Sequence, residues 1–335
     1  MIISKTPLRI SFFSGGSDMS SFYQKSSGAA FSATIDKYIY VMTHNVPHSG
    51  FRNIYDSIET VDEIDKMRHD ITRETFKEYV TSEKYTTASI SDVLARGTGL
   101  GSSSAFTVGL INTMIYENEN RKTNPTKYSE ILASAACKIE IDRCQYPIGK
   151  QDQYAAAYGG FNYLKFHSDE SVTVIKPKIT SETIQKLNEN LLLVYSGVGR
   201  SANEILKNQK AAMSQEDKFN LVANGRDKAI KAVDFIERGD VDSFGNLLDM
   251  AWHDKKRVTK EISNDYFDGI YETAVMSGAI GGKLLGAGGG GFFIFYVPVS
   301  EREKLAQSII KKSPSCKIYD FNFVGTGSEI IYFDE

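Results

Sequence analysis

Arg96-Gly97-Thr98-Gly99-Leu100-Gly101-Ser102-Ser103-Ser104-Ala105 is the stretch on which the reading of this chain turns. It stands between a β-rich run at 85–91 and an apolar helical pattern expected over 102–116. Glycine adopts backbone conformations that other residues resist and lets a ligand approach the main chain closely. The serines fall at the helix start, where the first amides have no carbonyl of their own helix to bond. Free N–H groups at the positive end of a helix dipole make a seat for an anion. Phosphate binding is one reading of these residues, and a glycine turn followed by an ordinary helix cap is the other. The loop lacks the Lys that ends a Walker phosphate loop, and its glycines lack the G-x-G-x-x-G spacing of dinucleotide folds.

Outward from the loop, 335 residues are enough for two domains and a sizeable core. Hydrophobic residues at 41% and charged residues at 24% are those of an ordinary globular protein. A net charge of −3 gives no general attraction to nucleic acid. No apolar run approaches the length of a membrane span, and the opening MIISKTPLRIS lacks the pattern of a secretory signal. A cytoplasmic protein without nucleic-acid or membrane partners is expected. Cys137, Cys144 and Cys316 lack C-x-x-C spacing, which suits reduced thiols, and the five histidines show no metal-ligand spacing.

The pattern of the whole chain predicts an α+β protein without repeats. Strands are expected at 8–12, 29–35 and 38–42, and a surface helix at 70–79. After the loop helix, a second helix should open at Asn124-Pro125 and run to about 144, with Ile131, Ala135 and Ile139 along one face. A short helix within 148–160 and a hairpin of 161–166 with 172–176 complete a first domain, 1–190. A buried strand at 191–195 opens a second, 191–335. Helices over 202–277 follow, with Trp252 in their core, then a glycine cluster between strands in 283–297. A helix at 301–310 and strands near 318–323 and 330–333 end the chain.

Three motifs recur in a fixed order: Pro7-Leu8-Arg9-Ile10-Ser11-Phe12-Phe13-Ser14-Gly15-Gly16-Ser17-Asp18, the central loop, and Lys283-Leu284-Leu285-Gly286-Ala287-Gly288-Gly289-Gly290-Gly291-Phe292. In this order the chain resembles the GHMP kinases, the superfamily of galactokinase and of homoserine, mevalonate and phosphomevalonate kinases. That resemblance implies a two-domain fold, a ribosomal-protein-S5-like α/β domain followed by a ferredoxin-like α+β domain with added helices. It also implies ATP and Mg²⁺ as cofactors. The family's central pattern, P-x-x-x-G-L-G-S-S-A-A, is matched by Gly99-Leu100-Gly101-Ser102-Ser103, while Ser104 replaces the first Ala and the leading Pro is absent. Gly97, Gly99, Leu100, Gly101, Ser102, Ser103 and Ser104 are the implied ATP loop. Ser103 corresponds to the serine that helps hold Mg²⁺. Galactokinases carry E-N-x-x-x-G-x-x-x-G-x-x-D-Q, and Glu140 precedes Asp152-Gln153 by the same twelve residues. Glu140 thereby becomes the second metal ligand, with Asp142 as its nearby competitor, Asp152 the base that accepts the acceptor's proton, and Arg9 its partner cation. As plain residues, Glu140 fits a solvated helix carboxylate and Asp152 a helix cap.

Galactokinases read G-E-H-T-D-Y in the first motif, whereas this chain reads Ser14-Gly15-Gly16-Ser17-Asp18-Met19. Asp18 survives to accept from sugar hydroxyls, and the Glu and His are gone. The version here, with Gly149-Lys150-Gln151-Asp152-Gln153 and Tyr195-Ser196-Gly197-Val198-Gly199-Arg200-Ser201-Ala202, looks like the heptose 7-phosphate kinases. Those phosphorylate the anomeric hydroxyl of D-glycero-D-manno-heptose 7-phosphate, on the way to nucleotide-activated heptose for surface polysaccharide. The implied substrate contacts are Arg9, Gly15, Gly16, Asp18, Gly288 and Gly289, with Lys150 and Arg200, and more weakly Arg143, as candidates for the substrate phosphate. The alternatives within the fold are a kinase for free fucose, an amino sugar or another aldose, and a decarboxylating relative. A non-catalytic sugar sensor is the alternative of another class.

Overall fold

The computed structural model describes residues 1–45, 50–93, 97–118, 125–200 and 202–334. Arg96, Asn124 and Ser201, singled out above, lie outside the described residues. In chain order the first part comprises β1 (Ile2–Phe13), α1 (Ser20–Tyr23), β2 (Gly28–His44), β3 (Gly50–Ile54), β4 (Ile58–Val61), α2 (Asp70–Tyr79), β5 (Lys84–Ser91), α3 (Ser102–Asn118), α4 (Pro125–Cys137), α5 (Gln151–Tyr158), β6 (Phe161–Phe166), β7 (Val172–Ile175) and α6 (Ser181–Asn190). The rest comprises β8 (Leu191–Tyr195), α7 (Asn203–Ala212), α8 (Glu216–Glu237), α9 (Val241–Lys256), α10 (Asp265–Met276), β9 (Gly281–Leu284), β10 (Phe292–Tyr296), α11 (Val299–Lys312), β11 (Lys317–Tyr319) and β12 (Glu329–Phe333).

The first sheet runs β12-β1-β2-β5-β3-β4, with β6 and β7 attached to the other half of β2. The two strands expected at 29–35 and 38–42 are halves of β2. Their break is a bulge, because Pro7 faces Tyr38 while Leu8 already faces Ile35. The first half of β2 pairs with β6 and the second with β5. From Thr6 to Phe13 every residue of β1 is buried, so both of its faces are covered. Helices α3, α5 and α8 all pack on β1 and β2. The alternation Leu8-Arg9-Ile10-Ser11-Phe12 therefore puts its polar side chains on a face that is buried as well, where Ser11 Oγ donates to Gln151 of α5.

The second sheet runs β11-β8-β10-β9, antiparallel throughout, which is the strand order of a ferredoxin-like unit with extra helices between its first two strands. Its residues alternate between two cores. Leu193, Ile294 and Tyr296 join the core of the first sheet, where Phe12 and Phe13 each meet the edge of Phe244 at 5.2 and 5.4 Å. Leu192, Val194, Phe293 and Phe295 pack instead on Trp252, Phe267 and Leu305. Trp252 is core, as expected. Although it follows the second sheet in sequence, β12 returns to pair with β1 in the first.

The second helix, expected from 124 to about 144, differs from its expectation in its inward face and its last turn. α4 ends at Cys137 and continues as a π-helical turn, Lys138–Arg143. Its inward face is Leu132, Ala133, Ala136 and Ile139, whereas Ile131 is exposed. The wider π turn admits an extra residue, so that Ile139 and its neighbour Glu140 are both buried, as is Cys137.

Candidate active site

The three motifs converge on one cleft of about 730 Å³, within the range of small-molecule sites. The central loop enters it on left-handed glycines, and residues 102–104 form the first turn of α3 at its wall. One glycine of this loop and one of the third motif are required by contact. A Cβ on Gly99 would stand 2.7 Å from the Leu285 carbonyl, and one on Gly286 would stand 2.6 Å from the Gly99 Cα. The second and third motifs thus touch backbone to backbone, and the Phe292 amide donates to the Thr98 carbonyl at 3.0 Å. The first motif is tied in by the Arg9 amide, which donates to the Leu100 carbonyl at 3.0 Å.

At the centre lies the pair anticipated from Arg9 and Asp152. Arg9 Nε donates to one Asp152 carboxylate oxygen and Nη2 to the other, both at 2.8 Å, while Nη1 donates to the Gly99 carbonyl at 2.6 Å. The two-pronged geometry holds the carboxylate in one plane. Arg9 is only 4% exposed but Asp152, in the first turn of α5, keeps 26% of its side chain open to the cleft. Asp18 sits beside them with 3% exposure. Its oxygens accept from the Gly16 amide at 2.9 Å and from Gln151 Nε2 at 3.0 Å. Burial, then the nearby Asp152 charge, raise the Asp18 pKa.

Glu140 is fully buried beside the start of α3. It accepts from Ser103 Oγ at 3.0 Å and from Gln153 Nε2 at 2.6 Å. Burial pushes its carboxyl up to about 7 because its partners are neutral donors that cannot offset a full charge. A buried carboxylate and a hydroxyl, both facing a phosphate-type loop, form the hard oxygen donor set that suits a divalent cation such as Mg²⁺.

Not every expected contact is assembled. Gly97, Gly99, Gly101, Ser102, Ser103, Ser104, Gly15, Gly16, Arg200 and Gly288 line the cleft, whereas Leu100 and Gly289 do not. Lys150 turns away. Its ammonium donates to the Glu170 carboxylate at 2.5 Å and to the Glu170 carbonyl at 2.8 Å. Arg143 pairs with Glu78 on the surface. Arg200 stands at the rim, 40% exposed and 3.5 Å from Glu204. Sequence reasoning assigned no role to Lys255 and Lys283, both of which line the cleft. Lys283 carried a signal, heading the third motif; Lys255, within a polar helical turn, carried none.

A helix start with free amides, a paired Asp–Arg and a buried carboxyl beside a hydroxyl, all in one cleft, are the parts used by a phosphotransferase that acts on an alcohol. Residues 69–160 match the GHMP kinases N terminal domain and residues 230–314 match the GHMP kinases C terminal. The chain belongs to the GHMP kinase superfamily, whose members take ATP as phosphoryl donor. A Campylobacter jejuni D-glycero-alpha-D-manno-heptose 7-phosphate kinase is 28% identical over 97% of this chain and 97% of its own. A D-glycero-D-manno-heptose 1-phosphate kinase from Bacteroides thetaiotaomicron superposes with a TM-score of 0.79 at 22% identity, covering 100% of both chains. A second solved structure, from Campylobacter jejuni, gives a TM-score of 0.77 at 26% identity over 98% of this chain and 97% of its own.

Proposed function

We propose that this kinase transfers the γ-phosphoryl group of ATP to the anomeric hydroxyl of D-glycero-D-manno-heptose 7-phosphate. The product is the 1,7-bisphosphate, which feeds nucleotide-activated heptose for surface polysaccharide. The observation that carries this reading is the Arg9–Asp152 pair, set in one cleft with the start of α3 and the Asp18 carboxylate. The amides of Ser102, Ser103 and Ser104 hold the phosphate chain, and Asp18 accepts from sugar hydroxyls. Asp152 accepts the proton of the attacking hydroxyl, while Arg9 fixes its orientation and faces charge on the transferring group. The new bond joins the anomeric oxygen to phosphorus, the bond to the ADP oxygen breaks, and the proton leaves through Asp152 to solvent. Ser103 and Glu140 are the residues that would hold Mg²⁺, whose chemistry is to neutralise phosphate charge.

Substrate identity draws on the sequence pattern and on the names of two relatives, each a heptose phosphate kinase. A second reading, phosphorylation of a free aldose, is favoured by one observation: Lys150 is engaged by Glu170 and turned from the cleft. Measuring ADP release with a panel of free aldoses, free heptose and heptose phosphates separates the two. The expected result is turnover with heptose 7-phosphate well above any free sugar. Turnover with free hexoses alone rejects the heptose 7-phosphate assignment.

A further inference from the structure

We propose that Lys255 and Lys283 form a second phosphate seat in the cleft, facing Arg9 and separate from the amides of α3. Lys283, on β9, is 4% exposed, and its ammonium donates to the Phe12 carbonyl at 2.8 Å. Lys255, at the end of α9, donates to the carbonyls of Leu284 at 2.9 Å and Gly286 at 2.6 Å. Neither ammonium has a carboxylate partner among the described residues, whereas the Arg9 charge is met by Asp152. Each ammonium has three protons to donate, so Lys283 keeps two and Lys255 one for a ligand.

Burial is a cost here. It pushes the Lys283 ammonium down to about 7, and that of Lys255 falls well below the ordinary lysine range under burial and the Lys283 and Arg9 charges. Uncompensated buried cations lower stability, and a fold retains them where an anion completes them. The seat lies where the cleft adjoins a small cavity of about 30 Å³ lined also by Gly15 and Gly16 of the first motif. A dianionic terminal phosphate is the ligand that fits two such ammonium groups. Two sources can supply it, the ester already on a phosphorylated acceptor and the terminal phosphate of the nucleotide. Only the first source rests on the sugar-phosphate reading above.

The test uses the full chain with Lys255→Gln and Lys283→Gln, and Met variants of both positions in case a Gln variant does not fold. Calorimetric titrations are run with heptose 7-phosphate, free heptose, ADP and the imido analogue of ATP. An acceptor ester in the seat predicts roughly 10- to 100-fold weaker binding of heptose 7-phosphate, with free heptose and both nucleotides unchanged. A nucleotide phosphate predicts the same loss for the ATP analogue alone, with ADP unchanged. Either pattern, with a melting temperature equal to or above that of the parent, supports the seat. Unchanged binding of every ligand by the folded variants overturns it. Should the parent chain bind no heptose 7-phosphate, the acceptor reading fails by itself, and the nucleotide titrations still decide the lysines.

Discussion

Asp152 illustrates what one residue carries at this site. Its carboxylate is gripped at both oxygens by Arg9 yet remains open to the cleft. Asp152→Asn keeps the shape and removes the proposed base, so kcat should fall by about 10²- to 10⁴-fold with an unchanged circular dichroism spectrum. Near-normal turnover would remove Asp152 from that role. Glu140→Gln keeps the bond geometry to Ser103 and Gln153 but loses the charge proposed to hold Mg²⁺. The Mg²⁺ concentration for half-maximal rate should then rise by roughly an order of magnitude. An unaltered Mg²⁺ titration would dismiss it as a ligand. Lys283 gives a pH signature. Its ammonium titrates near 7 in the folded chain and near 10 in the unfolded one, so between these values the unfolded chain binds more protons. Stability of the ligand-free protein therefore gains from this group as pH rises through that window, and the full penalty stands below pH 7. Lys283→Met should raise the melting temperature most below pH 7, with the advantage shrinking towards pH 10. A pH-independent difference would contradict this.

At the scale of elements, the glycine loops act as a joint. The backbone contact between Gly99 and Gly286 leaves no room for a methyl group, and both residues have positive φ, +74° and +62°. Gly286→Ala should destabilise the chain by about 1–3 kcal/mol and also weaken ATP binding, because the third motif presses on the phosphate loop. Thermal melts and ATP-analogue titration check both halves. An unchanged melting temperature and ATP affinity would show that the loops move independently. Much of this level was legible in the residues. Strands β1 and β5 and helices α2, α3 and α11 announced themselves through alternation, capping and apolar spacing. The π turn did not, because nothing in Lys138–Arg143 differs from an ordinary helix until its neighbours demand a wider turn. The short β3 and β4 escaped as well, since a strand of four or five residues has too few alternations to read.

Across the whole molecule, the chain crosses from the first sheet to the second and back. β12 lies on the outer side of β1, and Ser328 there is bonded to Thr6 Oγ1 and Asn112 Nδ2, both at 2.8 Å. Removing residues 328–335 exposes that side of β1, the strand that carries Arg9. The melting temperature should drop by about 5–10 °C, read by calorimetry, because the strand contributes ladder bonds but its apolar residues are half exposed. No change would mean that β12 is dispensable to the first sheet.

The amino-acid sequence by itself determined the three motifs and their order, because each needs particular residue types at short range, and the resemblance they carry singled out Arg9 and Asp152. It also determined the apolar runs of both sheets, whose alternation follows from two faces packed on two cores. Only the tertiary structure decided which charged side chains enter the cleft. Lys150 stands two residues from Asp152 yet is drawn outward by Glu170, while Lys255 and Lys283 arrive from α9 and β9. Charges cannot be assigned to a cleft from spacing along the chain, since a lysine points wherever burial, carbonyls and opposing carboxylates leave it lowest in free energy, and those partners are set by the packing of distant elements.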